Sequence, residues 1–231
     1  MDKTPFSLEH KWKINWKRIP SNIRIDPRVN FHNMREKRAL KALASIGVIT
    51  RPQLMKIFYL SYKEVNDLVH NYRIIEHDII KNDGEPTKIY TLGNKGAMLL
   101  EIDSYETNYW FQYTTEDVLK GLLFFQTYLY FPELKVIPTP KPFTGAVQNN
   151  DNIIFVYVFK GNPDDLLHYL KFKQQKGHRL ILVVENLNQL KPAELFLEDL
   201  RVRVVIESEL VSNRNINKDI FYAYKDGRLT R

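Results

Sequence analysis

The chain has 231 residues, no cysteine, and 34 Lys plus Arg against 27 Asp plus Glu, for a formal net charge of +7. That length predicts one large domain or two small ones, and zero cysteines exclude a disulfide framework, thiol catalysis and cysteine-based zinc or iron–sulfur sites. No apolar run approaches the roughly 18 residues of a spanning helix and the charged N-terminus lacks a signal-peptide core, so a soluble, cytoplasmic protein without a membrane partner is expected.

The charge is unevenly placed. Residues 1–40 carry +6, residues 41–100 carry +2 and residues 101–231 carry −1. The excess predicts an N-terminal module that meets phosphate, followed by a near-neutral module with another task. A solvated basic tail on an ordinary fold is the bland alternative.

Residues 1–32 read as a basic arm. Pro5, Pro20 and Pro27 argue for an extended segment rather than a long helix. Within it, Lys11, Lys13, Lys17 and Arg18 are candidate phosphate contacts, interleaved with Trp12 and Trp16. Those rings either stack on bases or, at i and i+4, anchor a short amphipathic segment on the core.

Residues 33–104 predict a winged helix–turn–helix. Asn33 with Glu36 resembles a capping box, Leu40, Leu43 and Ala44 supply an apolar face, and Gly47 stops the helix. Thr50 with Gln53 opens a second helix bearing Leu54, Ile57 and Phe58. Ser61 with Glu64 opens a third, bearing Val65, Leu68, Val69 and Tyr72. The runs 74–80 and 88–92 then predict a hairpin joined by 81–86, where Gly84 suits the turn, and a helix follows from Gly93 to Leu100.

After a linker at 101–113, residues 114–212 predict a small α/β domain. A helix from Thr114 or Thr115 to about Tyr130 precedes a Pro-rich stretch with a short strand at 135–137. Apolar strands at 152–159, 179–185 and 201–206 alternate with helices, one opened by Asn162 and Pro163 and one at 188–200. Strand, helix, strand, helix, strand implies largely parallel pairing. The tail 213–231 is polar, with an edge strand expected near 220–224 that ends at the Asp226–Gly227 turn. The fold class expected is therefore α+β: a winged helix–turn–helix followed by an α/β domain with a largely parallel sheet.

In a helix–turn–helix the second helix of the pair lies in the major groove. Its outward positions here are Tyr62, Lys63, Asn66, Asp67, His70 and Asn71. Asn66 suits an adenine edge, and Lys63 suits guanine or phosphate. Arg51 at the start of the second helix, with Lys81 and Lys88 on the wing, are suitable phosphate clamps. Glu64 and Asp67 put negative charge near the same face and keep a protein-docking role open.

Catalysis finds little purchase. The six histidines form no HExxH pair, Gly93–Gly96 lacks the phosphate-loop Lys-Thr context, and no metal or cofactor is expected. A restriction-type nuclease needs an acid on one strand and an acid-x-Lys on the next. The strand 153–159 contains no acid; Asp151 precedes it and Glu185 lies one strand later, neither with the needed partner.

The segments Leu43–Leu54 and Lys88–Gly96 give Ala39–Leu100 a resemblance to the winged-helix half of the plasmid replication-relaxation family of Gram-positive mobile elements. The resemblance extends more weakly over Pro138–Ser208, where that family places a nuclease-like α/β domain. Val156 and Val158 stand where the family usually has acids, whereas Tyr169 and Lys171 remain, so the resemblance implies a scaffold without its metal site. It implies DNA binding in replication, transfer or transcription control. The leading expectation is a double-stranded-DNA-binding protein, a homodimer through a non-catalytic C-terminal domain. The alternative is an adaptor that recruits a replication or conjugation enzyme, such as a relaxase, through the winged helix. A metal-dependent nuclease is the minor third reading.

Overall fold

The computed structural model describes residues 3–20, 30–172, 179–198, 200–213, 216–225 and 228–230. It is mixed α+β, with a four-stranded antiparallel sheet and a seven-stranded mixed sheet. The chain divides into two compact units, Lys11–Leu122 and Met1–His10 with Leu123–Arg231. The first boundary falls inside the expected arm and the second inside a helix. Of that arm, residues 21–29 lie outside the described residues.

The unit Lys11–Leu122 begins with β1 (Trp12–Asn15). Then come α1 (Met34–Ile46), β2 (Ile49–Thr50), α2 (Arg51–Phe58) and α3 (Tyr62–His70), followed by β3 (Ile74–Lys81), β4 (Thr87–Leu92) and α4 (Asn94–Leu99). The helix starts are local chemistry. The Asn33 side chain accepts from the Glu36 amide, and both Thr50/Gln53 and Ser61/Glu64 form reciprocal capping boxes, each contributing about 1 kcal/mol. Gly47 ends α1 at a φ of 104°, and Tyr113 lies where its Cβ would be. Leu40, Leu43, Leu54, Ile57, Phe58, Val65 and Leu68 are all buried. Ala44, by contrast, is exposed, and Ala39 and Ala42 take the buried positions.

The sheet order is β1-β3-β4-β2. β1 pairs antiparallel along β3, with Trp12 opposite Lys81 and Asn15 opposite Asp78. The basic arm is thus a strand rather than a free tail, and its period is two: Trp12, Ile14 and Trp16 are half-buried while Lys11, Lys13, Asn15 and Lys17 are exposed. The expected linker 101–113 also enters the core. It forms a 3₁₀ turn at Tyr109–Gln112, and Trp110 is fully buried with Ile19 and Ile75, flanked by Trp16, Tyr109 and Tyr113.

α5 (Thr115–Tyr128) runs across the boundary between the units. Beyond it lie β5 (Lys135–Ile137), β6 (Gly145–Asn149), β7 (Asn152–Val158), α6 (Asp164–Phe172) and β8 (Arg179–Val184). α7 (Glu194–Leu197), β9 (Arg201–Ile206), α8 (Glu207–Ser212), β10 (Tyr222–Lys225) and β11 (Arg228–Thr230) complete the chain. The sheet order is β11-β10-β9-β8-β7-β6-β5.

The expectation of a largely parallel sheet is corrected: among these strands only β7–β8 and β8–β9 pair in parallel. β5, β6 and β7 form a meander through short connections that permit only antiparallel return, and β10 also pairs antiparallel with both β9 and β11, reaching β9 after a longer connection that carries α8. The tail supplies two of these strands, so β10 is not the edge; the Asp226–Gly227 turn lies outside the described residues. The helix expected at 188–200 is also corrected. It is a 3₁₀ turn at Leu187–Leu190 and the single-turn α7, since Pro192 interrupts any longer helix. One sheet face carries the core of this unit, built from Tyr157, Leu182, Val202 and Val204 with Leu166 and Leu170 of α6. Among the described residues, no helix is long and apolar enough to cross a membrane.

Candidate nucleic-acid interface

α3 presents Tyr62, Lys63, Asn66, Asp67 and His70 as exposed side chains, while Val65 and Leu68 hold it to the core. The side chains of Lys63, Asn66 and His70 make no hydrogen bond or ion pair among the described residues. Asn71 is different. It is the C-cap, and its Nδ2 donates to the Asp67 carbonyl at 2.8 Å, so its amide serves the end of the helix. Glu64 is likewise occupied, bonded to the Ser61 amide at 2.7 Å and to Arg35 at 3.0 Å.

Beside α3, the expected phosphate clamps form a network of their own. Arg51 donates Nε to the Tyr90 hydroxyl at 2.7 Å and Nη2 to Glu76 at 3.0 Å, and its guanidinium lies 4.4 Å from the Tyr62 ring centroid. The Tyr90 hydroxyl in turn donates to Glu76 at 3.0 Å. Lys88 bridges Glu76 at 3.1 Å and Asp78 at 2.9 Å. Burial tends to raise the Glu76 carboxyl, but hydrogen bonds from Lys88 and Tyr90 outweigh it and hold Glu76 below the usual carboxylate range. The hydrogen bond to Asp78, then that to Glu76, raises the Lys88 ammonium. Arg51 and Lys88 are therefore already neutralised in place, and neither is a free clamp.

The arm strand contributes the rest. Lys11 pairs with Asp83 at 2.8 Å on the hairpin tip, where both side chains are well exposed, and such a pair is worth little. Lys81 lies 5.9 Å from the Trp12 ring centroid, a cation–π contact. Exposed Lys13 and Arg18 have no side-chain partner among the described residues, and exposed Lys17 is joined to the body by its backbone. Trp16 packs edge-on against His77, with ring centroids 4.8 Å apart, so it is an anchor and not an exposed stacking platform.

His77 is the part of this region that the sequence did not single out. Its Nδ1 accepts from the Lys17 amide at 2.9 Å, which places the proton on Nε2, directed at the Thr91 hydroxyl at 2.9 Å. Burial first, then the nearby Lys17 charge, pushes its pKa down to about 3. Neutral His77 thus staples the arm to the sheet.

In the other unit, buried Lys160 sits between Glu185 and Glu207, with its Nζ 2.5 Å from Glu207. The second Glu207 oxygen accepts from the Phe6 amide at 2.7 Å. Glu185 is therefore paired away from Asp151, which is exposed in the β6–β7 turn. An isolated lysine after an apolar strand gave no pattern from which this triad could be read. Comparison with protein-family models, with curated proteins and with solved structures finds no match to this chain.

Proposed function

We propose that Lys11–Leu122 acts as a winged helix–turn–helix that binds double-stranded DNA. The observation carrying this reading is the outward face of α3, where Lys63, Asn66 and His70 stand exposed and uncommitted beside the β3–β4 hairpin. In this reading α3 enters the major groove, Asn66 and Lys63 address base edges, and Lys13 on the added strand, with Lys17 and Arg18 just after it, meets phosphate. Tyr62 and Arg51 form a braced shoulder instead of a mobile clamp. The resemblance of Ala39–Leu100 to the plasmid replication-relaxation family supports a role in replication, transfer or transcription control of a mobile element. It also supports a non-catalytic C-terminal unit that pairs protomers or docks a partner.

The test is selection of bound sequences from a random duplex pool, followed by salt-dependent binding to the recovered site. Lys63→Ala with Asn66→Ala removes the preference for that site, whereas Lys13→Ala with Lys17→Ala weakens all duplexes alike and flattens the salt slope by roughly one to two. Binding that is insensitive to salt sinks the reading. One observation favours docking on protein instead: Glu76 and Asp78 place two carboxylates on the sheet between Arg51 and Lys88. A partner captured after nuclease digestion, and lost in Lys63→Ala with Asn66→Ala, would favour the adaptor.

A further inference from the structure

The seven-stranded sheet has a second face, and its halves differ. Val156, Val158, Val183 and Val205 bury the half nearest the ends of the parallel strands. At the opposite end the same face carries Arg179 on β8 and Arg201 and Arg203 on β9. Arg179 and Arg201 are register partners on adjacent strands, and Arg203 follows two residues along, pointing the same way. Strand spacing and rise put the roots of the three side chains within about 5–8 Å of one another.

These arginines line a cavity of about 770 Å3 whose apolar surfaces include Ile181, Phe131 and Phe221. Lys218 and Lys225 also border it, against one acid, Asp219, which is engaged by Asn217. Among the described residues, the side chains of Arg179, Arg201, Arg203 and Lys225 have no hydrogen-bonding or ionic partner. Lys218 lies over the Phe131 ring, 4.8 Å from its centroid.

Like charges directly opposite on neighbouring strands destabilise a sheet, and edge protection does not account for them, since β8 and β9 are interior strands. A face that carries such repulsion beside an open apolar cavity is suited to an anion with a flat, apolar part. Three arginines clustered on two adjacent strands around one cavity, instead of running in a line, fit a single phosphate group better than a long polymer backbone. The volume lies in the range of small-ligand sites.

We propose that this half of the sheet binds a nucleoside phosphate, with the phosphate on Arg179, Arg201 and Arg203 and the base against Phe131 and Ile181. The ligand is either a free nucleotide or the terminal nucleotide of a single strand. The site lies wholly within the Leu123–Arg231 segment and stands independently of duplex binding by α3.

The experiment is calorimetric titration of the full chain with adenosine, AMP, ATP and a 5′-phosphorylated oligothymidylate, repeated for Arg201→Gln with Arg203→Gln and for Arg179→Gln. Phosphorylated probes are expected to bind one per chain and adenosine to bind at least about tenfold more weakly, with each variant losing about tenfold in affinity. Saturation by AMP identifies the free nucleotide as the source; saturation by the oligonucleotide alone identifies a strand end. Thermal melting controls for folding, and removal of facing cations is expected to leave Tm unchanged or raised. Lys63→Ala with Asn66→Ala serves as the separating control, since it disables the duplex reading and leaves nucleotide affinity unchanged. Absence of binding by every phosphorylated probe at millimolar concentration, or binding indifferent to all three arginines, overturns the proposal.

Discussion

The backbone amide of Lys17 donates to Nδ1 of His77 at 2.9 Å, joining the basic arm to β3, an inner strand of the small sheet. The contact is reinforced on both sides. Trp110 donates its Nε1 to the Lys17 carbonyl at 3.1 Å, and the Trp16 ring packs edge-on against the imidazole. The side of the arm that bears Lys13 and Lys17 is therefore oriented by a buried, neutral histidine.

This arrangement makes the first unit acid-sensitive. The folded pKa of about 3 lies below the ordinary value of 6.5, so between these limits only the unfolded chain takes up the proton. Stability from this group is complete above pH 6.5 and falls as the pH drops towards 3, by about 2 kcal/mol at pH 5. Urea melts at pH 7 and pH 5 should show that loss in the native chain. His77→Gln should be less stable at pH 7 and lose less between the two values. Equal pH dependence in both proteins would remove His77 from the account.

The helical part of this unit was legible because its signals are local. Asn33, Thr50 and Ser61 each cap with a residue three positions on, and Gly47 supplies the positive φ that ends α1. The strand role of the arm was obscured because Trp12 and Trp16 satisfy a helical spacing as well as a two-residue alternation. Only pairing with β3, more than sixty residues away, selects between them. β6 was hidden for a different reason: Gly-Ala-Val-Gln-Asn carries little strand preference, and its neighbours on both sides hold it in place. The candidate DNA-facing residues on α3 follow from helix geometry alone, but the neutralisation of Arg51 and Lys88 depends on Glu76 from another element. The arginine face had a visible trace in Arg201-Val202-Arg203, yet its juxtaposition with Arg179 required the β8–β9 register.

Glu76 sets the electrostatics of the proposed DNA face, because one carboxylate holds Arg51, Lys88 and the Tyr90 hydroxyl. Glu76→Gln should release Arg51 towards phosphate, while Asp78 at 2.9 Å still holds Lys88. Affinity for random duplex should rise several-fold and the salt slope steepen by about one, while the unit loses about 1–2 kcal/mol as charge-assisted bonds weaken. Fluorescence anisotropy across a salt series measures both quantities. Unchanged affinity would place DNA contact elsewhere on the molecule.

Gly47 and Tyr113 provide a test of packing between the end of α1 and the segment before α5. An alanine at position 47 meets a backbone with φ near 104° and a ring already in the space of its methyl group. Gly47→Ala should cost about 2–3 kcal/mol, of which about 1 kcal/mol is backbone strain that no partner change can recover. Adding Tyr113→Ala should then cost much less than it does in the native background. Additive losses in the double-mutant cycle would mean that the two positions do not compete for the same space.

Lys160, Glu185 and Glu207 bring three charges together at the ends of β7, β8 and β9, and burial decides their energetics. The side chains of Lys160 and Glu207 are each 1 % exposed. Removing the cation leaves a carboxylate held, among the described residues, only by the Phe6 amide, so Lys160→Met should destabilise by about 3–5 kcal/mol at pH 7. An unpaired buried carboxyl has its folded pKa raised, so the folded variant takes up a proton before the unfolded chain does. The deficit of the variant should therefore shrink as the pH falls from 7 towards 5. Lys160→Met with Glu207→Leu replaces the inner ion pair by apolar groups and should recover much of the loss, with Glu185, half-exposed at the rim, free to meet water. Denaturant titration at the two pH values measures each quantity. If Lys160→Met alone matches the native stability to within about 1 kcal/mol, the pair is solvated in practice and contributes as little as a surface ion pair.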